Sequence, residues 1–208
     1  MALNNIEQLN SMHLDVLKEI GNIGSGNAAG ALSELIMKPT DITVPDVLLL
    51  DFNEAINFLG GADTIAIGMM VQLSEDITGK VIFIIQQAFT STMTEMLFGT
   101  PIDDLTQMDE MATSFITEVG NIMTASYVNA IASLTGLTID ISVPEMTVDM
   151  VGAILSVPAV EFAMTGANKV LFIDDSFLIE GSEVRSNLIF VPETKSLEML
   201  FEKLGVTV

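Results

Sequence analysis

The sequence predicts an α/β fold made of two repeats related by a pseudo-twofold axis, with strands in a shared antiparallel or mixed sheet and two long helices that carry one motif. The repeat is the first observation: a shift of 99 positions places residues 19–23, EIGNI, on residues 118–122, EVGNI, and residues 41–46, DITVPD, on residues 140–145, DISVPE. Apolar residues that recur every three or four positions before residue 23 predict a helix. Polar and glycine turns between apolar segments predict hairpins.

Each repeat predicts the same order of elements: a long helix, a strand, a short helix, two strands joined by a turn, and a helix. In the first repeat these elements are expected at Ser11–Met37, Asp41–Asp51, Asn53–Leu59, Thr64–Leu73, Lys80–Gln87 and Ala88–Phe98. Hairpin turns are expected at residues 74–79, SEDITG, and at residues 180–183, EGSE. The seam at residues 100–105 is too short for a free linker, so we expect residues 1–208 to form a single domain with repeats at approximately 11–99 and 107–205.

The composition excludes several classes of function. The chain of 208 residues is 50% hydrophobic, and its formal charge of -21 repels phosphate backbones and anionic lipids, so neither nucleic acid nor a membrane is an expected partner. No long apolar run and no signal peptide are present, and we expect a cytoplasmic location. Cysteine is absent, which excludes thiol chemistry, and the single histidine, His13, is expected to be an ordinary, partly exposed side chain.

A glycine run in the first long helix imitates a dinucleotide-binding loop. Gly24, Gly26 and Ala29 fit the pattern G-x-G-x-x-[GA], but that loop must follow a strand, and this run follows a helical pattern. The corresponding residues of the second repeat are Met123, Ala125 and Val128. We therefore expect the small residues to let the helix lie close to a neighbour, and we expect no nucleotide site.

The repeats keep an acid and an amide three residues apart, Glu19 with Asn22 and Glu118 with Asn121. Residues at this spacing share one face of a helix. Both copies also have a polar residue four positions before the acid, a glycine between the acid and the amide, and a proline 23 positions after the amide. These supporting residues are Asp15, Gly21 and Pro45 in the first copy and Ser114, Gly120 and Pro144 in the second.

The doubled motif [DS]-x3-E-x2-N-x22-P resembles that of the CheC/CheX/FliY family of bacterial chemotaxis phosphatases, and two motifs in one chain are most similar to its CheC-type members. The resemblance covers nearly the whole chain. It implies a hydrolase that removes the aspartyl phosphate of the response regulator CheY, with Glu19, Asn22, Glu118 and Asn121 inserted into the receiver active site. It also implies a second partner, the receptor deamidase CheD.

The hydrolysis that this resemblance implies requires few catalytic groups from the chain itself. An acyl phosphate has a good leaving group, so an amide that holds the attacking water in line would suffice, and each Glu would pair with the receiver's lysine. The receiver would supply Mg²⁺, so no cofactor or metal of the chain's own is expected. Asp15 and Ser114 are expected to contact the partner's rim, and Gly21 and Gly120 to let the helix backbone approach it. Pro45 and Pro144 are expected to shape a strand or its beginning.

The alternative is a non-enzymatic flagellar switch or adaptor protein that binds the receiver or CheD without hydrolysis. Such a protein would share the architecture and the acidic helix face. A binding surface has no evident need for the amide, so the presence of both Asn22 and Asn121 favours the phosphatase.

Overall fold

The computed structural model describes residues 6, 9–43, 45–163 and 169–206, and it has the predicted order of elements in both repeats. The helices are α1 Ser11–Ile36, α2 Phe52–Phe58, α3 Gln87–Phe98, α4 Glu110–Thr135, α5 Val151–Ala163 and α6 Thr194–Lys203. The strands are β1 Thr40–Ile42, β2 Asp46–Asp51, β3 Ile65–Glu75, β4 Gly79–Gln86, β5 Ile139–Ile141, β6 Glu145–Met150, β7 Lys169–Ile179 and β8 Ser182–Pro192. A 3₁₀ helix at Leu105–Gln107 precedes α4.

The eight strands of the described residues form one antiparallel sheet, whose order confirms the predicted pseudo-twofold arrangement. The path is β1, β7, β8, β4, β3, β5, with β2 also paired to β7 and β6 also paired to β3. The order reads the same from either edge, and β4 and β8 pair at the centre with Ile82 opposite Ile189. The first two strands of each repeat thus pair with the hairpin of the other repeat, so the halves are interlocked through the sheet.

The predicted strand Asp41–Asp51 is wrong in one respect, because the structure divides it into β1 and β2. Ile42 pairs with Phe177, and Asp46 pairs with Asp174. The segment that joins β1 to β2 therefore has one residue more between these pairs than β7 has. This is a β-bulge, and Pro45 lies in it because proline has no N–H to give to a ladder. The second repeat has the same one-residue excess between Ile141 and Glu145, opposite β3.

The sheet separates two apolar layers, as the alternation along β4 shows. Val81, Phe83 and Ile85 belong to the larger cluster, which includes buried residues of α1, α3, α4 and α6. Ile82 and Ile84 belong to a smaller cluster with residues of α2 and α5. The period of two along the strand assigns successive side chains to opposite faces. The two long motif-bearing helices therefore lie together on one face of the sheet.

Helix α1 begins with a capping box in which Asn10 Oδ1 accepts from the His13 N–H and His13 Nδ1 accepts from the Asn10 N–H. The expectation that His13 is partly exposed is wrong, since its side chain is 3% exposed and its ring meets Phe201 edge-on. The glycine run lies inside α1, as predicted, and a Cβ at Gly24 would come within 2.6 Å of Cδ1 of Tyr127 on α4.

In the described part of the chain, no helix combines the length and apolar character needed to span a bilayer.

Candidate functional site

The first Glu/Asn pair lies on the outer face of α1. Glu19 is exposed and Asn22 is partly exposed, whereas Leu17 and Ile20 point into the core. The 3.6-residue period of the helix explains this division, because positions 17, 20 and 21 turn towards the sheet while 15, 19 and 22 turn away. Asp15, one turn before Glu19, is exposed on the same face.

The second pair repeats this arrangement on α4. Ser114 and Glu118 are exposed and Asn121 is partly exposed, while Val119 on the opposite side of the helix is fully buried. Asp109 caps α4 by accepting from the Ala112 N–H, so the helix begins two turns before Glu118. Both sequence-predicted pairs therefore occupy the surface of the helix layer, and neither Asn belongs to the core.

The four motif side chains are unpaired. Within the described part of the chain, Glu19, Asn22, Glu118 and Asn121 make no internal hydrogen bond or ion pair. No three acidic or histidine side chains gather closely enough among the described residues to hold a metal ion. A carboxylate that can accept and an amide that can both accept and donate are thus free to meet groups supplied by another molecule.

The expected role of Gly21 and Gly120 is wrong, because both glycines are buried and face inwards. A Cβ at Gly21 would lie 3.3 Å from Cγ of Pro45, and a Cβ at Gly120 would overlap Sδ of Met69 on β3. The glycines therefore let each motif helix pack on the sheet. The helical period could have shown this, since Gly21 shares the sheet-facing side of α1 with Leu17 and Ile20.

The two prolines lie where each bulge meets the following strand. Pro45 directly precedes β2 and is buried against α1 at Gly21, while Pro144 directly precedes β6 and is partly buried. Their place at the beginning of a strand agrees with the prediction. In the first repeat, the bulge also brings the proline ring against the turn of α1 that carries Asn22.

The surroundings of the two pairs differ in charge. Beside Glu19, Nζ of Lys18 lies 3.4 Å from Oδ1 of Asp46 in an exposed ion pair. The corresponding residue beside Glu118 is Thr117, whose hydroxyl donates to the Thr113 carbonyl. An exposed ion pair contributes little to stability, but Lys18 places a cation one residue before Glu19, where the second pair has the neutral Thr117.

Sequence reasoning missed a buried polar cluster behind Asn22. Ser25 of α1, Tyr127 of α4 and Asp175 of β7 meet there, and Asp175 is 1% exposed. Burial raises the pKa of Asp175 from its ordinary value of 3.8 to about 6, although hydrogen bonds from Ser25 and Tyr127 oppose the rise. The same burial raises the pKa of Tyr127, so this side chain stays protonated.

Comparison with known proteins identifies the family. The sequence profile of the CheC-like family matches residues 12–49 and 111–148, which are the two motif segments. The chain is 35% identical over 93% of its length to the CheY-P phosphatase CheC of Bacillus subtilis, of which the match covers 94%. The chain belongs to the CheC-like family.

A second relative is also similar in sequence, and solved structures are similar in fold. The putative CheY-P phosphatase CheC1 of Halobacterium salinarum is 27% identical over 64% of this CheC-like chain and 67% of its own. The crystal structure of FliY from Thermotoga maritima superposes with a TM-score of 0.75 at 21% identity, covering 95% of this chain and 98% of the other. The crystal structure of the FliM middle domain from H. pylori superposes with a TM-score of 0.65 at 10% identity, covering 94% of this chain and 99% of the other. These structures share the fold.

Proposed function

We propose that this CheC-like protein is a phosphatase of a phosphorylated CheY-type receiver and has two sites, Glu19 with Asn22 and Glu118 with Asn121. The observation that carries the proposal is the duplicated, exposed and internally unpaired Glu/Asn pair on a chain 35% identical to a CheY-P phosphatase. The carboxylate and the amide on each described helix face are suited to positioning a partner's cation and a water molecule.

In the proposed mechanism, the motif helix docks on the receiver's phosphorylation pocket. The Glu carboxylate pairs with the receiver's lysine and fixes the register of the helix. The Asn side-chain oxygen accepts a hydrogen bond from the attacking water, and its NH₂ group donates a hydrogen bond to a phosphoryl oxygen. Water oxygen then bonds to phosphorus while the bond between phosphorus and the aspartate oxygen breaks, which yields inorganic phosphate and a free aspartate.

The receiver, rather than this chain, supplies Mg²⁺, which neutralises phosphoryl charge. Loss of Mg²⁺ from the receiver should therefore abolish the reaction. Binding of CheD stays a prediction that rests on the family resemblance.

The test is to incubate the chain with a phosphorylated CheY-type receiver and Mg²⁺ and to follow loss of the phosphoryl group. Each of Asn22→Ala and Asn121→Ala should lower the rate but leave one site working, and the double variant should return the rate to that of the receiver alone. Receiver binding should persist in the double variant, since the amide acts in the transition state.

A specific observation supports a second candidate, a non-enzymatic switch or adaptor protein: the fold matches FliM middle domains with TM-scores of 0.65 and 0.64. That candidate becomes the better one if the parent chain binds the phosphorylated receiver without accelerating loss of phosphate.

A further inference from the structure

The buried cluster behind the first pair joins both motif helices to the sheet. Ser25 Oγ lies 2.5 Å from Asp175 Oδ1 and 2.6 Å from the Tyr127 hydroxyl, which in turn contacts Asp175 Oδ2. Each residue is less than 4% exposed. Three polar groups that are almost wholly excluded from water, and that come from α1, α4 and β7, are costly to bury unless each finds its partners.

The cluster reaches the Asn22 site through a single bond. Ser25 Oγ lies 2.8 Å from the carbonyl oxygen of Gly21, the residue before Asn22. A serine hydroxyl that bonds back to the carbonyl four residues earlier competes with the helical ladder and bends the helix. The state of Ser25 therefore acts on the turn of α1 that presents Asn22.

The second repeat lacks this cluster. Thr124 occupies the position of Ser25, and Ala28 occupies the position of Tyr127. The counterpart of Asp175 is Val71, because Asp174 pairs with Asp46 as Met70 pairs with Glu145. The counterpart positions behind the Asn121 site thus hold no ionisable group, whereas Asp175 lies behind the Asn22 site.

We propose that Asp175, acting through Ser25, is a positioning residue for the Asn22 site alone and makes that site sensitive to pH. The proposal rests on the proposed function for its activity readout. It assigns no contact between Asp175 and the substrate, and it makes the two sites of one chain unequal although their motif residues match.

The number of protons in the cluster determines which bonds form. Four oxygen contacts link Gly21, Ser25, Tyr127 and Asp175, and two hydroxyl protons serve them when Asp175 is ionised. Charge-assisted bonds are the stronger ones, so both hydroxyls then donate to the carboxylate. A protonated Asp175 adds a third proton and accepts less strongly, which frees Ser25 to donate to the Gly21 carbonyl.

The charged groups around Asp175 fix the range of pH in which this happens. Burial is the main cause of its raised pKa of about 6, with Asp174 on the same strand adding to the rise and the Ser25 and Tyr127 hydroxyls opposing it. Arg185 of β8 and Asp46 of β2 act on Asp174 rather than on Asp175 directly. Because the Ser25–Gly21 bond bends the helix, the regular turn that presents Asn22 belongs to the ionised cluster, which we expect above pH 6.

The experiment compares two single-site variants of the full chain on the same phosphorylated receiver. Asn121→Ala leaves the Asn22 site, and Asn22→Ala leaves the Asn121 site. After subtraction of spontaneous hydrolysis, the ratio of the first rate to the second cancels effects of pH on the receiver. The ratio should be constant above pH 7 and fall about tenfold by one pH unit below the pKa of Asp175, since about a tenth of the carboxyl is then ionised. A ratio that stays flat from pH 5 to 8 overturns the proposal.

Substitutions in the cluster locate the effect. In the Asn121→Ala background, Asp175→Asn should lower the dephosphorylation rate at neutral pH and remove the fall in rate near pH 6. In the Asn22→Ala background, the same substitution should leave the dephosphorylation rate unchanged. Equal losses in both backgrounds would show a purely structural role. Tyr127→Phe is the second variant: it removes a donor to the carboxylate, so the fall in rate should move to higher pH.

A readout without activity separates this proposal from the proposed function. The side-chain amide signal of Asn22 in a ¹H–¹⁵N spectrum of the parent chain should shift between pH 5 and 7, and that of Asn121 should not. If the chain is not a phosphatase but the amide signal of Asn22 still shifts with pH, the proposed function fails and the coupling between Asp175 and Asn22 stands. If neither amide signal moves, the coupling is wrong.

Discussion

Glu19 and Glu118 belong to a chain with 28 acidic residues and a net charge of -21, so negative charge alone does not distinguish them. Their position does, because each shares an exposed helix face with an unpaired amide. A carboxylate so placed can meet one particular cation of a partner, whereas the general acidity of the surface acts at long range and is screened by salt.

Charge reversal tests this distinction. The double variant Glu19→Lys with Glu118→Lys should weaken receiver binding by at least about tenfold, because it sets cation against the receiver's lysine. The matched control is Glu34→Lys with Glu95→Lys, which makes the same change of net charge at exposed positions outside both motifs. Binding is measured by calorimetry at two salt concentrations. If both double variants weaken binding equally, the effect is that of net charge and the assigned role of the motif acids is wrong.

The raised pKa of Asp175 also predicts how the free energy of unfolding depends on pH. Its folded pKa of about 6 exceeds its ordinary value of 3.8, so the folded state binds more protons than the unfolded state between these values. The contribution of this group to the free energy of unfolding is therefore full below about pH 4 and decreases by about 3 kcal/mol as the pH rises through 6. Asp175→Asn should remove that decrease. The check is urea unfolding of parent and variant at several pH values, and parallel curves for the two proteins would contradict the prediction.

Among single residues, the sequence repeat made the motif side chains predictable but gave no indication of the buried cluster. The exposed positions of Glu19 and Asn22 follow from helical spacing, and the duplication separates them from incidental polar residues. Ser25, Tyr127 and Asp175 gave no signal, because the cluster has no second copy and Ser25 and Asp175 are 150 residues apart in the chain. Only the fold brings them together.

Among the elements, α1 and α4 determine how the two sites are placed, and the contact between them depends on a missing side chain. Gly24 lies against the ring of Tyr127, so the helix axes can approach closely at that point. Gly26, two residues later, is exposed, and a Cβ at that position would meet no other atom within 4 Å. The same glycine run thus contains one residue that packing requires and one that it does not.

These two glycines form a matched pair for mutation. Gly24→Ala should lower the free energy of unfolding by about 1 to 3 kcal/mol, because the new methyl group meets the Tyr127 ring at 2.6 Å. Gly26→Ala should instead raise it by up to about 1 kcal/mol, since alanine is the better helix former where space is open. Thermal and urea unfolding measure both. If Gly24→Ala stabilises the chain as much as Gly26→Ala does, α1 and α4 do not meet at Gly24.

The elements themselves were largely predictable, with one instructive exception. The first long helix was expected at Ser11–Met37 and is found at Ser11–Ile36, because its apolar period is a local signal. The division of the predicted strand into β1 and β2 was not foreseen. A proline inside an apolar run is compatible with a strand edge or a bulge, and the pairing with β7 decides between them.

In the whole molecule, the same strand exchange between the repeats accompanies the pseudo-twofold symmetry and interlocks the two halves. Because β1 and β2 pair with β7, and β5 and β6 pair with β3, neither repeat contains all the partners of its own strands. The antiparallel sheet and the pseudo-twofold order could be expected from two copies that must share one core. The exchange of the first strands could not, since the sequence of a repeat does not say which hairpin its strands will join.

The interlocked sheet predicts that the halves need each other. Residues 1–103 and residues 104–208, each produced alone, should show no cooperative unfolding, and mixing them should restore a one-to-one complex, measured by circular dichroism and size-exclusion chromatography. Two copies of one half are a poor substitute. In a dimer of the second half, Met123 would replace Gly24 against the Tyr127 ring, and in a dimer of the first half, Ala28 would replace that ring and leave a void. Cooperative unfolding of either half as a monomer would contradict this account of the sheet, and a stable homodimer of either half would show that the close approach at Gly24 does not specify the pairing.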